Sequence, residues 1–343
     1  MKWLCVLFLA LSFSLYARTI EFYADWSWNS KGTKLFTPKP NSNEEEWSAL
    51  SKIGAALRES DWEIKCWDYD LYQPLLTASS PAISIPKDTL WVFWNMGGRL
   101  KDFDLSKAPK EKLILFMWEP PTVQSSLYTA KVQNLFGKIF TWNDDLVDNR
   151  KFFKFNYPVL KKRTACIPDF DQKKFCVMIN TYFKDKHPLS LYGQRVIDAR
   201  FFEEREETFD IYGRFWDQTG LTHWKGKAKD KEAVLKNYKF CLCYENMRDV
   251  KGYITEKIFD CFAAGCVPIY WGASNVADYI PPECFIDRRA FASLKALHAF
   301  LRAMSRREYE RYLEATALYL ESEEAQVFSR DAFVKVFMNG IVH

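Results

Sequence analysis

The residue types with the most chemical potential fall in one stretch: Tyr238-Lys-Phe-Cys-Leu-Cys-Tyr-Glu-Asn246, then Tyr253-Ile-Thr-Glu-Lys257, then Val267-Pro-Ile-Tyr-Trp-Gly272. The first and third runs read as strands and the segment between them as a helix. Thr255 suits the helix N-cap, Ile254, Ile258, Cys261 and Phe262 form an inward stripe, and Gly265 suits the stop. In such a βαβ unit a ligand sits beyond the carboxyl ends of the strands, where unpaired helix amides favour an anion such as a diphosphate. Lys257 falls in the first helical turn, where a cation opposes the helix dipole by about 0.3–1 kcal/mol. An external anion that neutralises both offsets that cost, and a lysine turned to solvent is the plainer alternative.

A second chemical candidate is Glu119, which follows the apolar run Leu113-Ile-Leu-Phe-Met-Trp118 and precedes Pro120-Pro121. The proline keeps Glu119 extended and halts the strand, which leaves a carboxylate at the mouth of a sheet. A general base belongs there, although a solvated strand-end glutamate has the same sequence signature. Asp68-Tyr69-Asp70, Asp102-Phe103-Asp104 and Asp169-Phe170-Asp171 each match the Asp-x-Asp pattern that can hold a metal-bound diphosphate. They recur in turn-like settings where aspartate is common in any case. The four histidines are scattered, and Cys241 and Cys243 alternate in a strand as small core residues without C-x-x-C spacing, so no metal ligands are assigned.

Positioning these groups requires a scaffold of buried strands. Apolar runs at Leu90 to Asn95, Lys112 to Trp118, Lys138 to Trp142, Lys174 to Ile179, Phe209 to Tyr212, Phe240 to Tyr244 and Val267 to Trp271 are mostly continuous, with helix-like segments between many of them. That pattern predicts α/β architecture with parallel sheets covered on both faces. Asn156 to Pro168, with two prolines and clustered Lys161-Lys162-Arg163, reads as the boundary between an N-terminal α/β unit (18–165) and a C-terminal one (166–343). Leu297 to Ser322 reads as one long helical surface whose charges form a solvated face.

The chain has 343 residues, 48% of them hydrophobic and 17% aromatic, which suits two domains with substantial cores and excludes a disordered chain. Lys plus Arg (48) nearly balance Asp plus Glu (44), and no long basic block is present, which argues against nucleic acid as a partner. Residues 1–17 have the charge, apolar run and small residue of an export signal, and the run is short for a membrane span. Export is the expectation, with a short N-terminal membrane anchor as the alternative.

Tyr-Lys-Phe, the Glu-Asn pair, Tyr-Ile-Thr-Glu-Lys, Gly-x-Val-Pro and Trp-Gly between Tyr238 and Gly272 resemble the α-1,3-fucosyltransferases of glycosyltransferase family 10. The resemblance is thinner from Asn180 to Tyr212 and local around Glu119. It implies a GT-B fold of two Rossmann-like domains facing a cleft, GDP-β-L-fucose as donor in the C-terminal domain, an acceptor glycan of N-acetyllactosamine type against the N-terminal domain, and inversion at the anomeric carbon. Tyr253, Glu256 and Lys257 match the family's donor-binding positions, and Asn246 belongs to the Glu-Asn pair. Arg195 in Tyr192-Gly-Gln-Arg195 is similar to a second cationic diphosphate ligand, with Arg214 as rival, and Glu119 to the general base. The resemblance implies that fixed cations replace a metal, so no cofactor is required, and that the protein works at a membrane or in a secretory compartment. A sugar-binding protein of the same fold without catalysis, and a transferase using another nucleotide sugar, are the competing readings.

Overall fold

A computed structural model of the protein describes residues 18–24, 36–39, 48–67 and 85–342. The N-terminal stretch 1–17, the pair Asp68 and Asp70 and most of the loop from Thr77 to Lys87 lie outside the described residues. Two all-parallel sheets carry the chain. The first holds β1 (Arg18–Ala24), β2 (Trp62–Trp67), β3 (Thr89–Trp94), β4 (Leu113–Met117), β5 (Lys138–Thr141) and β6 (Phe152–Lys154) in the order β2-β1-β3-β4-β5-β6. The second holds β7 (Lys174–Ile179), β8 (Phe209–Tyr212), β9 (Tyr238–Tyr244), β10 (Val267–Trp271) and β11 (Ile286–Asp287) in the order β11-β10-β9-β7-β8.

Both orders reverse direction once. The reversal lies between β1 and β3 in the first sheet and between β7 and β9 in the second. Helices that leave the two strands at such a switch point go to opposite faces, so a crevice opens beyond their carboxyl ends. In the second sheet that crevice is bounded by Asn180 after β7 and by Glu245 and Asn246 after β9. In the first sheet Asn95 follows β3, and Glu119 lies beyond the neighbouring β4.

The principal helices are α1 (Ala49–Glu59), α2 (Tyr192–Glu203), α3 (Lys231–Leu235), α4 (Glu256–Ala264), α5 (Leu294–Ala303), α6 (Arg306–Glu321) and α7 (Arg330–Val342). The long helical surface read from Leu297 to Ser322 is carried by two helices, α5 and α6. Met304 ends the first, and Ser305 caps the second in a reciprocal capping box with Glu308. The last helix also departs from the sequence reading, which groups 166–343 as one unit. Phe333, Phe337 and Ile341, four residues apart, bury a stripe of α7 against the first sheet. Phe337 lies over Phe22, Phe116 and Phe140, whose rings, with Trp94, stack in series at 4.4 Å from Trp94 to Phe116 and from Phe116 to Phe140. Burying each such ring stabilises the fold by about 1.5–3 kcal/mol, so this returning helix ties the two halves together.

Candidate active site

The Tyr238 to Gly272 unit forms as its pattern dictates: β9, a loop, α4, a left-handed Gly265 at φ 63°, then β10. Ile258, Cys261 and Phe262 are buried. Glu245 extends β9 by one residue, its N–H donating to the carbonyl of Trp271 at 2.8 Å, and its side chain is 0% exposed. Its carboxylate lies beneath the start of α4. There it accepts from the Thr255 N–H at 2.8 Å, from the Thr255 hydroxyl at 2.8 and 3.0 Å, and from Lys257 Nζ at 3.0 Å.

This changes two readings made from sequence. Thr255 occupies the N-cap, but its hydroxyl serves Glu245 and accepts no helix amide. The anion that compensates Lys257 is in the first instance internal. Burial works against the Lys257 ammonium, yet Glu245 and Glu256 outweigh it and hold the group above its ordinary lysine pKa. The Lys257 side chain keeps 18% exposure, so the charge is not wholly enclosed.

Arg195 enters the same place from α2. It is 1% exposed, and its Nη2 donates to the carbonyls of Tyr244 at 2.8 Å and Glu245 at 2.7 Å and to Asn246 Oδ1 at 3.0 Å. Burial pulls its pKa below the usual guanidinium value. Its Nε has no hydrogen-bond partner among the described residues, an unusual state for a buried donor. One turn further on, Asp198 anchors the helix by accepting from the Tyr244 hydroxyl at 2.6 Å and from Arg288 Nε at 3.3 Å. Arg214, the rival cation, is exposed beyond β8.

Glu256 opens α4 beside Lys257, and its side chain is 42% exposed. Lys231, near the start of α3, reaches Glu256 at 3.3 Å and Asp260 at 3.2 Å. The ammonium of Lys257, and to a lesser degree that of Lys231, brings the Glu256 carboxyl down to about 2. It is thus ionised throughout the physiological range and available to hydrogen-bond donors.

Across the crevice Glu119 is held by its backbone. Its N–H donates to Asn95 Oδ1 at 2.8 Å and its carbonyl accepts from the Tyr128 hydroxyl at 2.8 Å. Asn95 is itself left-handed, φ 56°, and 3% exposed. Asparagine tolerates that conformation better than most residues, and here the strained turn aims its amide at Glu119. Burial pushes up the pKa values of Tyr157, Tyr192 and Tyr253, and the Glu119 carboxylate adds to the shift in all three. Tyr192 also feels Arg195 and Lys257. One tyrosine therefore lies within electrostatic reach of the two cations and of the opposing carboxylate.

Tyr253 is 2% exposed, and its ring packs, tilted by 43°, with its centroid 4.5 Å from that of Trp142, so it spans the two halves rather than lining an open surface. Beside it, Gly252 sits at φ 77° where a Cβ would come within 2.4 Å of the Trp142 carbonyl. Asp144 closes the seam. It pairs with Lys154 at 2.6 Å and accepts from Tyr279 at 2.8 Å and Asn275 at 3.0 Å.

The structure thus gathers Arg195, Asn246, Glu256 and Lys257 around the end of β9 and the start of α4, while Glu119 follows β4 in the first sheet. Glu245, Tyr192, Asn95 and Asp144 were not singled out from sequence; Glu245, beside Asn246 in the Glu-Asn pair, carried the nearest signal. The Asp-x-Asp pairs within the described residues are turn and cap residues: Asp104 accepts from Ser106, Asp169 forms a capping box with Gln172, and Asp171 pairs with Arg306. Among the described residues no group of three or more His, Cys, Asp or Glu side chains is arranged to hold a metal ion.

Two parallel α/β sheets with a cation-lined crevice at the second switch point define the GT-B class of glycosyltransferase fold. A crystal structure of an α1,3-fucosyltransferase with GDP-fucose superposes with a TM-score of 0.59 at 16% identity, covering 95% of this chain and 92% of that one, which establishes the shared fold. Residues 192–333 match glycosyltransferase family 10 (fucosyltransferase), C-terminal. An α-(1,4)-fucosyltransferase of Arabidopsis thaliana is 44% identical over 71 residues, 21% of this chain and 18% of that protein. The α-(1,3)-fucosyltransferase 4 of Bos taurus is 26% identical over 225 residues, 60% of this chain and 52% of that protein. The chain thus spans about half or less of these relatives' own length.

Proposed function

We propose that this protein transfers L-fucose from GDP-β-L-fucose to a hydroxyl of an acceptor glycan, with inversion at the anomeric carbon and without an essential metal. The observation that carries the reading is the meeting of Arg195 and Lys257 around Glu245 and Asn246, where β9 ends and α4 begins. Glu119 takes the proton of the acceptor hydroxyl as its oxygen attacks the anomeric carbon from the face opposite phosphate. Lys257, Arg195 and the amide end of α4 stabilise the departing diphosphate, and Arg195 Nε finds its acceptor there. Glu256, ionised and half-exposed, accepts from donor hydroxyls, and its charge opposes the positive charge that develops on the sugar ring. Asn246 holds Arg195 in place. Tyr253 contributes by packing the donor loop against Trp142.

The acceptor is an N-acetyllactosamine-type glycan with O3 of its glucosamine, or of a glucose, as nucleophile. The sequence of the N-terminal stretch, read as an export signal or short anchor, supports a membrane or secretory setting for the reaction; among the described residues no helix is long and apolar enough to cross a membrane. Titration of the purified protein with GDP-fucose, GDP-mannose and UDP-galactose, followed by turnover on N-acetyllactosamine with and without chelator, tests the reading. Preference for GDP-fucose and chelator-resistant transfer support it. Absence of GDP affinity and of transfer defeats it, and glycan binding without transfer favours a non-catalytic sugar-binding protein.

A further inference from the structure

The proposed chemistry needs cations at the diphosphate but gives no task to Glu245, a fully buried carboxylate in their midst. Its surroundings show that it cannot leave. Thr255 donates to it twice, from N–H and hydroxyl, and Lys257 Nζ stands 3.0 Å away. Arg195 binds the carbonyl of the same residue at 2.7 Å, so both cations are organised around Glu245. Without a ligand, Arg195 and Lys257 repel each other, and a buried counter-charge offsets that repulsion. With a ligand, the same carboxylate still stands beside Lys257 and repels the diphosphate that Lys257 attracts. A donor site made of two bare cations would hold substrate and product alike, and tight holding of the product slows its departure.

From this geometry we infer that Glu245 is a resident counter-charge that positions Lys257 and limits how tightly the nucleoside diphosphate is held, so that the product leaves. The inference rests on the donor-site reading above. Glu245→Gln keeps the shape and leaves an acceptor for Thr255 while removing the negative charge.

Calorimetric titration with GDP, thermal melting with and without GDP, and steady-state kinetics on wild type and E245Q test the inference. E245Q is expected to bind GDP more tightly than wild type by about 5-fold or more, the lower end of an ordinary coupling free energy. It is also expected to melt lower without GDP, to gain more from GDP on melting, and to show a lower KM for donor together with a lower kcat. A folded E245Q that binds GDP no more tightly than wild type overturns the counter-charge role while leaving the donor site intact. Wild type that does not bind GDP overturns the donor-site reading and this inference with it. If E245Q alone does not fold, the double variant E245Q/K257M decides: it is expected to melt above K257M, and equal or lower melting overturns the charge pairing.

Discussion

The backbone N–H of Glu119 donates to Oδ1 of Asn95 at 2.8 Å, tying the end of β3 to the residue beyond β4. Asn95 reaches that position only because its backbone is left-handed, φ 56°. Asn95→Gly tolerates the backbone and removes the side-chain acceptor. We expect kcat to fall by about 10- to 100-fold, the scale set by small misplacement of a reacting group. GDP affinity should stay at the wild-type level, because Asn95 touches none of the donor-wall residues. A parallel loss of GDP affinity would show instead that the β3 turn supports the whole crevice.

Lys257→Met leaves a buried carboxylate at Glu245 with Thr255 alone as partner. Breaking a buried pair in this way costs about 3–5 kcal/mol. The variant should unfold at markedly lower denaturant and lose GDP binding, whereas an exposed lysine would have given neither effect. Chemical denaturation and calorimetric titration of the same preparation check both.

The seam at Asp144 predicts a coupling between the halves. Asp144→Ala removes the acceptor of Tyr279 and Asn275 and the partner of Lys154. Hydrogen exchange should quicken in residues 250–255, and KM for donor should rise, while the isolated sheets keep their protection. Unchanged exchange in that loop would mean that Trp142 and Tyr253 alone hold it.

Acid should weaken the donor wall through Glu256. Its carboxyl lies at about 2 in the folded protein against an ordinary 4.5. A depressed carboxylate contributes stability that is complete above the unfolded value and is lost as pH falls from about 4.5 towards 2. Glu256→Gln lacks that contribution, so its stability should converge with that of wild type across this window. The effect should be modest, because the side chain is 42% exposed and solvent screens it. Melting curves taken between these pH values measure it.

Much of the scaffold was legible in the sequence because buried parallel strands announce themselves as unbroken apolar runs. Leu113 to Met117 and Val267 to Trp271 are of that kind. Arg18–Ala24 and Trp62–Trp67 were not read as strands, since Arg18, Glu21, Glu63 and Lys65 interrupt their apolar residues. Phe152–Lys154 and Ile286–Asp287 are too short to show a period. The donor wall was legible in part. Thr255, Lys257 and the βαβ frame follow from local pattern, and Arg195 came from the family resemblance alone. That Arg195 caps the carbonyls of Tyr244 and Glu245 depends on which strands adjoin at the switch point, and no local spacing encodes that. Glu245 was missed because a glutamate at a strand end looks solvated until the Thr255 amide and Lys257 are seen to enclose it.

In the proposed reaction, donor binding and proton removal reside on opposite walls of one crevice. Comparison of GDP-fucose affinity with the single-turnover transfer rate for wild type and Glu119→Gln tests it most directly. Unchanged affinity is expected, with a rate lower by about 10²- to 10⁴-fold, the usual contribution of a general base. Full transfer by Glu119→Gln, or loss of donor affinity in step with the rate, would contradict it.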